Sequence, residues 1–336
     1  MTQVLVTTSF PSYLIERIRA VSPALEVTQI DLANKPWPNG RRTMAEVMYA
    51  LGLKNLPPLN SAPNLRWIQF HSAGVDHVAD SDLWNSDIEI TTASGIHAPN
   101  MGQYVMAQIL AWANRTPTWL TYQRRSEWPK NRWDIFLPDE LRGRTLGILG
   151  YGSIGREVAR LAKAFGLTVL AIKRDARHIQ DLGYIVPGTG DPDGAMVDRI
   201  YPSAATYSMI RECDYVVVTL PSTEATHSMV DEELLKTMKP SAFLVNVGRG
   251  AVVDEAALVK ALKNGWIAGA GLDVFETEPL PASSPLWALD NVILTPHISG
   301  FTASYDERAV RLFCTNLSRY LADEPLFNAV DRQLGY

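Results

Sequence analysis

Thr145-Leu146-Gly147-Ile148-Leu149-Gly150-Tyr151-Gly152-Ser153-Ile154-Gly155 decides the fold of this chain. Its first five residues form a short apolar run with strand character, and residues 153–165 carry helical spacing. Between strand and helix stands G-x-G-x-x-G. The first glycine allows a tight turn, the second lets backbone approach a pyrophosphate, and the third lets the helix pack close to the strand. The helix N-terminus then offers unpaired N–H groups and the positive end of its dipole to phosphates. The spacing alone is weak evidence. The strand before it and the helix after it favour a dinucleotide fingerprint over a glycine-rich turn with no ligand. Gly150, Gly152, Ser153, Ile154 and Gly155 are therefore candidate cofactor contacts.

Outward from this turn the chain alternates between strands and helices. Residues 168–172, 215–220, 243–247, 268–273 and 292–295 read as strands, and residues 255–264 and 303–321 as helices. Near-continuous apolar runs of this length suit parallel strands covered on both faces. Upstream, residues 4–8, 25–32, 65–70 and 88–92 read as strands, with a helix at 12–21. They make a second α/β unit without a glycine fingerprint. Residues 34–64 are rich in Pro and Asn and read as irregular. Residues 101–114 are apolar nearly all round, as in a buried helix, and residues 119–133 are basic and aromatic, as on a surface. One stretch breaks the rhythm. Residues 183–203 contain Pro187, Gly188, Gly190, Pro192, Gly194 and Pro202, and read as an insertion in the form of a hairpin flap.

The composition narrows the class of protein. A chain of 336 residues suits two domains, and 46% hydrophobic with 20% charged residues suits a soluble globular protein with a sizeable core. The net charge of −5 argues against nucleic acid as a partner. Cys213 and Cys314 lie far apart, which fits a reduced, cytoplasmic protein. The N-terminus lacks a basic segment followed by a long apolar run, and no apolar stretch reaches the ~20 residues of a membrane span.

The strand after the glycine turn ends in Ile172-Lys173-Arg174. A carboxylate at this point would bind a ribose 2′-hydroxyl, as in NAD sites. Two cations instead attract a 2′-phosphate, and an arginine can grip it with two hydrogen bonds. Lys173 and Arg174 thus favour NADP(H), with NAD(H) possible. Asp175 is the competing reading, and a solvated Lys-Arg pair is the ligand-free one.

Three further features fall at or just beyond strand C-terminal ends, where open α/β sheets bind ligands. They are Asn246-Val247-Gly248-Arg249-Gly250, Asp273-Val274-Phe275-Glu276-Thr277-Glu278-Pro279 and Thr295-Pro296-His297. An arginine between two glycines at a sheet edge is suited to gripping a carboxylate, though a surface salt bridge is the plainer reading. A histidine can exchange a proton with a hydroxyl or carbonyl oxygen at neutral pH. His71, His77, His97, His178 and His227 lack a comparable setting. Glu278 is suited to orient His297 and to favour its protonated form. There is no HExxH and no second histidine at ligand spacing, so no metal is expected.

From residue 63 onward the chain resembles the D-isomer-specific 2-hydroxyacid dehydrogenases. The matching pieces are Ser72-Ala73-Gly74-Val75-Asp76, the glycine turn, Leu220-Pro221 with Thr226, and the three segments around Arg249, Glu278 and His297. The resemblance implies His297 as the acid that protonates the carbonyl oxygen, Glu278 as its support, and Arg249 as the substrate-carboxylate ligand. Backbone N–H groups at Gly74 and Val75 would grip the same carboxylate. Leu220, Pro221, Thr226, Val247, Gly248, Asp273 and Gly300 would line the cofactor, with Asp273 by the nicotinamide. The implied fold is a Rossmann dinucleotide-binding domain, residues 100–299, inserted into a flavodoxin-like substrate domain, residues 1–99 and 300–336. Both sheets would be doubly wound and parallel, with the active site in a cleft. The implied substrates are small 2-keto or 2-hydroxy acids such as glyoxylate or hydroxypyruvate, and the implied assembly is a homodimer. Gln103 stands where the family often has Glu. The alternative function is a nucleotide-sensing protein-binding module of corepressor type.

Overall fold

The computed structural model describes residues 1–32, 35–75 and 77–335. Asp76 of the Ser72-Ala73-Gly74-Val75-Asp76 motif lies outside the described residues, as does Asn34 at the head of the Pro- and Asn-rich stretch. The chain groups into two compact units. One holds Met1–His97, Gly183–Val186 and Thr302–Tyr336, the other Ala98–Leu182 and Pro187–Phe301.

The first unit contains strand β1 (Thr2–Val6), helix α1 (Ser12–Arg19) and strands β2 (Leu25–Gln29), β3 (Val47–Ala50), β4 (Trp67–Phe70) and β5 (Glu89–Thr91). The strands pair in parallel in the order β2-β1-β3-β4-β5. This is the flavodoxin order. Leu14, Ile15 and Ile18 of α1 share a hydrophobic cluster with Val310, Phe313 and Leu317 of the C-terminal helix Tyr305–Leu321. Strand β3 corrects the expectation of irregular structure over 34–64. Val47, Met48, Tyr49 and Ala50 are all fully buried, and they form the centre of the sheet. A four-residue run between Pro-rich flanks has too little periodicity to announce a strand; burial between two neighbours makes it one.

The second unit opens with helices α2 (Ala98–Ala113), α3 (Thr116–Arg124) and α4 (Arg132–Ile135). There follow β6 (Thr145–Leu149), α5 (Ser153–Ala164), β7 (Thr168–Ile172), β8 (Arg199–Tyr201), α6 (Thr206–Ile210), β9 (Tyr215–Val218), α7 (Glu232–Thr237), β10 (Phe243–Asn246), α8 (Glu255–Lys263), β11 (Gly269–Leu272) and β12 (Val292–Leu294). All pair in parallel, in the order β12-β11-β10-β9-β6-β7-β8. This is the Rossmann order with one strand added. Every residue of β9, β10 and β11 is buried, as expected of strands covered on both faces. Helix α2 is spent on core packing: Met101, Val105, Met106 and Ile109 share a cluster with Ile148 and Val158. Residues 119–133 stay at the surface, with Trp128 85% and Trp133 74% exposed.

Residues 183–203 do not form a hairpin flap. A hairpin needs antiparallel neighbours. Here β8 pairs in parallel with β7, with Leu170 opposite Arg199, and becomes the sheet's edge strand. Four residues of the stretch, Gly183–Val186, belong to the first unit. There Tyr184 joins the cluster of Val4 and Phe313, and its N–H donates to Asn328 Oδ1 at 3.2 Å.

Candidate active site

Because the second sheet is wholly parallel, its strands present their C-terminal ends along one edge. β6 delivers Gly150 there, β10 delivers Arg249, β11 delivers Asp273, and β12 leads to His297.

Two glycines of the turn meet steric demands, and the third faces open space. Gly150 has φ +107, a left-handed conformation open to glycine. A Cβ on Gly155 would lie 2.3 Å from the Gly150 carbonyl oxygen and 2.9 Å from Ile148 Cγ2, so helix and strand are as close as a missing side chain allows. A Cβ on Gly152 would meet nothing within 4 Å. Asp231 caps α7 and Asp254 caps α8 with carboxylate hydrogen bonds, whereas α5 begins at Gly152 with no side-chain cap. Open space and uncapped N–H groups suit the pyrophosphate of a dinucleotide. Leu220 lies against the same turn: its Cδ2 would be 3.1 Å from a Gly150 Cβ, and its carbonyl oxygen 2.6 Å from a Gly248 Cβ. Thr226 Oγ1 donates to the Pro221 carbonyl at 2.6 Å and shapes the loop behind Leu220.

Arg249 stands between two glycines for a steric reason. Gly248 faces the Leu220 backbone, and a Cβ on Gly250 would lie 1.9 Å from the Phe275 carbonyl carbon and oxygen. The turn is braced by Asn246, whose Oδ1 accepts from Gly248 N–H at 3.1 Å and whose Nδ2 donates to the Arg249 carbonyl at 3.2 Å. Arg249 itself is half-buried, and its Nη1 donates to the Gly248 carbonyl at 2.9 Å.

His297 and Glu278 form a pair, with Nδ1 2.7 Å from Oε2. The other carboxylate oxygen of Glu278 accepts from Phe275 N–H at 3.1 Å, which fixes the carboxylate plane. His297 adopts φ +52, an uncommon conformation for a residue with a Cβ. Asp273 holds it there. The fully buried Asp273 carboxylate accepts from Thr295 Oγ1 at 2.6 Å, Ile298 N–H at 2.9 Å and Ser299 N–H at 2.8 Å. His297 N–H donates to the Asp273 carbonyl at 2.9 Å. The support extends inward: Gln108 Nε2 donates to Tyr104 Oη at 2.8 Å, and Tyr104 Oη lies 2.5 Å from Thr295 Oγ1. Burial pushes the Tyr104 hydroxyl up to about 12, so it remains protonated. Sequence reasoning missed Tyr104 and Gln108. Their i, i+4 spacing on α2 was the available signal, hidden in a helix that reads as apolar throughout. Gln103, the departure from the family pattern, is exposed beside them.

In the first unit, Gly74 and Val75 follow β4, and Ser72 Oγ donates to the Gly74 carbonyl at 2.8 Å. A cluster of rings sits just before this loop. Tyr49 Oη lies 2.7 Å from His71 Nδ1, the Tyr305 ring stacks on His71 at 4.4 Å, and Tyr305 Oη donates to the His71 carbonyl at 2.9 Å. Burial, reinforced by neighbouring His97, lowers His71 to about 4. Tyr305 thus braces the backbone just after β4. Trp287 is exposed in the second unit and donates its indole N–H to the Pro281 carbonyl at 3.0 Å.

Lys173 and Arg174 follow directly on β7. The competing Asp175 is engaged within its own segment: its carboxylate accepts from Arg177 N–H at 3.0 Å and lies 2.5 Å from His178 Nδ1. Among the described residues no group of three or more His, Cys, Asp or Glu is placed to hold a metal ion.

A Rossmann sheet with an open glycine turn, and a carboxylate-paired histidine on the same edge, defines a dinucleotide-dependent enzyme architecture. Comparison with known proteins makes it specific. The family model for the D-isomer specific 2-hydroxyacid dehydrogenase NAD binding domain matches residues 106–299. A glyoxylate reductase of Korarchaeum cryptofilum is 36% identical over 280 residues, covering 82% of this chain and 78% of its own. A D-isomer specific 2-hydroxyacid dehydrogenase of Xanthobacter autotrophicus, solved with NADPH and MES, superposes with TM-score 0.80 at 29% identity, over 99% of this chain and 100% of its own. An NADPH-dependent glyoxylate/hydroxypyruvate reductase of Sinorhizobium meliloti, solved with NADP and sulfate, gives 0.79 at 26% identity, over the whole of both chains. The chain belongs to the D-isomer specific 2-hydroxyacid dehydrogenase family.

Proposed function

We propose that this protein reduces small 2-keto acids, glyoxylate and hydroxypyruvate among them, to D-2-hydroxy acids, with NADPH preferred over NADH. The observation that carries the reading is the His297–Glu278 pair, held at 2.7 Å on a turn pinned by a buried carboxylate beside an open dinucleotide turn. The nicotinamide supplies a hydride when bound, and one proton from the protein completes the hydroxyl. With Nδ1 committed to Glu278, His297 presents Nε2–H and gives up that proton as charge grows on the carbonyl oxygen. Glu278, engaged at Nδ1, holds the imidazole in one orientation. Arg249 binds the substrate carboxylate and polarises the adjacent carbonyl, and the N–H groups of Gly74 and Val75 grip the same carboxylate. Gly150, Gly152, Ser153, Ile154 and Gly155 cradle the pyrophosphate. Leu220, Pro221, Thr226, Val247, Gly248 and Gly300 line the rest of the cofactor site, with Asp273 close to the nicotinamide. Lys173 and Arg174 receive the 2′-phosphate. The NADPH and NADP complexes of the Xanthobacter and Sinorhizobium proteins support this preference.

The functional division follows: residues 1–99 and 300–336 for substrate, 100–299 for dinucleotide. The protein works as a cytoplasmic homodimer, a reading supported by two unpaired thiols and by exposed Trp128 and Trp133 on the second unit. No helix among the described residues is long and apolar enough to cross a membrane. The protein-binding alternative gains no support from these relatives. Turnover with a panel of 2-keto acids, run with NADPH and with NADH, tests the proposal. Arg249→Ala or His297→Ala lowers kcat/KM by orders of magnitude and leaves nucleotide affinity within about threefold. Wild-type turnover in either variant would refute the assigned roles.

A further inference from the structure

The segment 173–198 joins two parallel neighbouring strands, a task normally given to a helix. Among its described residues there is none. Side chains organise it instead, and they reach it from the glycine turn. Asp191, 4% exposed, is the hub: its carboxylate accepts from Ala195 N–H at 2.8 Å, Met196 N–H at 3.0 Å and the Tyr151 hydroxyl at 2.5 Å. Tyr151 is the second residue of G-x-G-x-x-G. Over its ring, at 4.7 Å, lies the guanidinium of Arg156, the residue after the third motif glycine. Arg156 is 1% exposed. It donates through Nη1 to the Asp191 carbonyl at 2.5 Å and through Nη2 to the Ile179 carbonyl, while Nε lies 3.4 Å from Asp181 Oδ2. Next to it, the buried Glu157 accepts from Gly190 N–H at 2.6 Å.

A buried guanidinium is costly unless its donors are satisfied, and an apolar residue fills such a space more cheaply. Here the cation ties two separate points of the segment to the first turn of α5. The segment in turn holds Lys173, whose ammonium donates to the His178 carbonyl. Burial lowers the pKa of Lys173, and the like charge of nearby Arg156 adds to the shift.

We propose that residues 175–182 and 187–196 form a pre-ordered wall that selects the 2′-phosphate of the cofactor, with Tyr151, Arg156 and Asp191 as its positioning residues. They lock the wall to the glycine turn, so that Lys173 and Arg174 are already in place when a 2′-phosphorylated adenosine arrives. The proposal rests on the NADP(H) reading above. It ascribes specificity to buried residues behind the wall, and it gives residues 187–196 a role that the sequence leaves open.

The test measures binding by calorimetry on the full-length protein, using 2′,5′-ADP and 5′-AMP as probes. The wild type favours 2′,5′-ADP. Tyr151→Phe, which removes one hydroxyl, raises the Kd for 2′,5′-ADP by about 5- to 20-fold and leaves that for 5′-AMP within about twofold. Asp191→Asn acts in the same direction, and the KM for NADPH rises in both variants while that for NADH stays. Circular dichroism checks that each variant is folded. Equal weakening of both probes, or no change in either, overturns the proposal while leaving the cofactor reading intact. Equal affinity of the wild type for the two probes overturns the NADP(H) reading and this proposal with it.

Discussion

Replacing Gly250 by alanine places a methyl group inside another segment's backbone. The new Cβ would stand 1.9 Å from the Phe275 carbonyl carbon and oxygen and 2.5 Å from Glu276 N. None of these atoms belongs to a side chain that can swing away. Ordinary contact begins at 3.4 Å, so the two segments must part by roughly 1.5 Å. Both carry proposed catalytic groups: Arg249 directly precedes Gly250, and Phe275 N–H fixes the carboxylate of Glu278. A misplacement of about 1 Å costs on the order of 100-fold in rate, which is about 2.7 kcal/mol of transition-state stabilisation. Overpacking of this kind also costs about 1–3 kcal/mol of stability. Gly250→Ala is therefore expected to lower kcat/KM for glyoxylate about 100-fold and Tm by a few degrees. The nucleotide Kd, read by quenching of protein fluorescence, should stay within about threefold. A variant with wild-type Tm and kcat/KM within twofold of the parent would show that the Phe275 peptide yields freely, and the steric account of the Arg249 turn would fail.

Gly152 gives the opposite pattern. Its Cβ position is open, so Gly152→Ala keeps the wild-type Tm but raises the Kd for NADPH by about tenfold or more; an unchanged Kd would place the pyrophosphate elsewhere. His71 predicts an acid limb in the stability curve. Its pKa falls from the ordinary 6.5 to about 4 in the folded chain, so the unfolded chain takes up the proton first. That contribution is complete above about pH 6.5 and drains away as pH falls towards 4, amounting to about 3 kcal/mol. Asp306, 3.7 Å from His71, is raised by burial and works in the opposite sense, which partly offsets the loss. Chemical denaturation between pH 7 and pH 4 should show the decline, and His71→Gln should flatten it; equal slopes in both proteins would exclude His71 as the source.

Much of this architecture is written locally. The strands of the second sheet announce themselves as continuous apolar runs because parallel strands are covered on both faces. The glycine turn is legible because Gly150 and Gly155 answer separate steric demands within a dozen residues, with Gly152 at the motif spacing between them. Arg249, Glu278 and His297 are legible as residue types at strand ends, where parallel topology must bring them to one edge. What escaped the sequence depends on distant neighbours. Strand β3 exists because β1 and β4 bury it. β8 is a parallel edge strand, where Pro and Gly composition reads as a flap, because pairing direction is set by the partner β7. Tyr104 and Gln108 join the site only because Thr295, 191 residues beyond Tyr104 in the chain, folds back onto α2. Arg156 and Asp191 likewise meet across a span of 35 residues. The sequence by itself determined the periodicities and the chemistry carried at each turn, because these rest on neighbours within a few residues. Only the tertiary structure decided which buried polar groups support that chemistry, because a hydrogen bond between remote segments leaves no pattern along the chain.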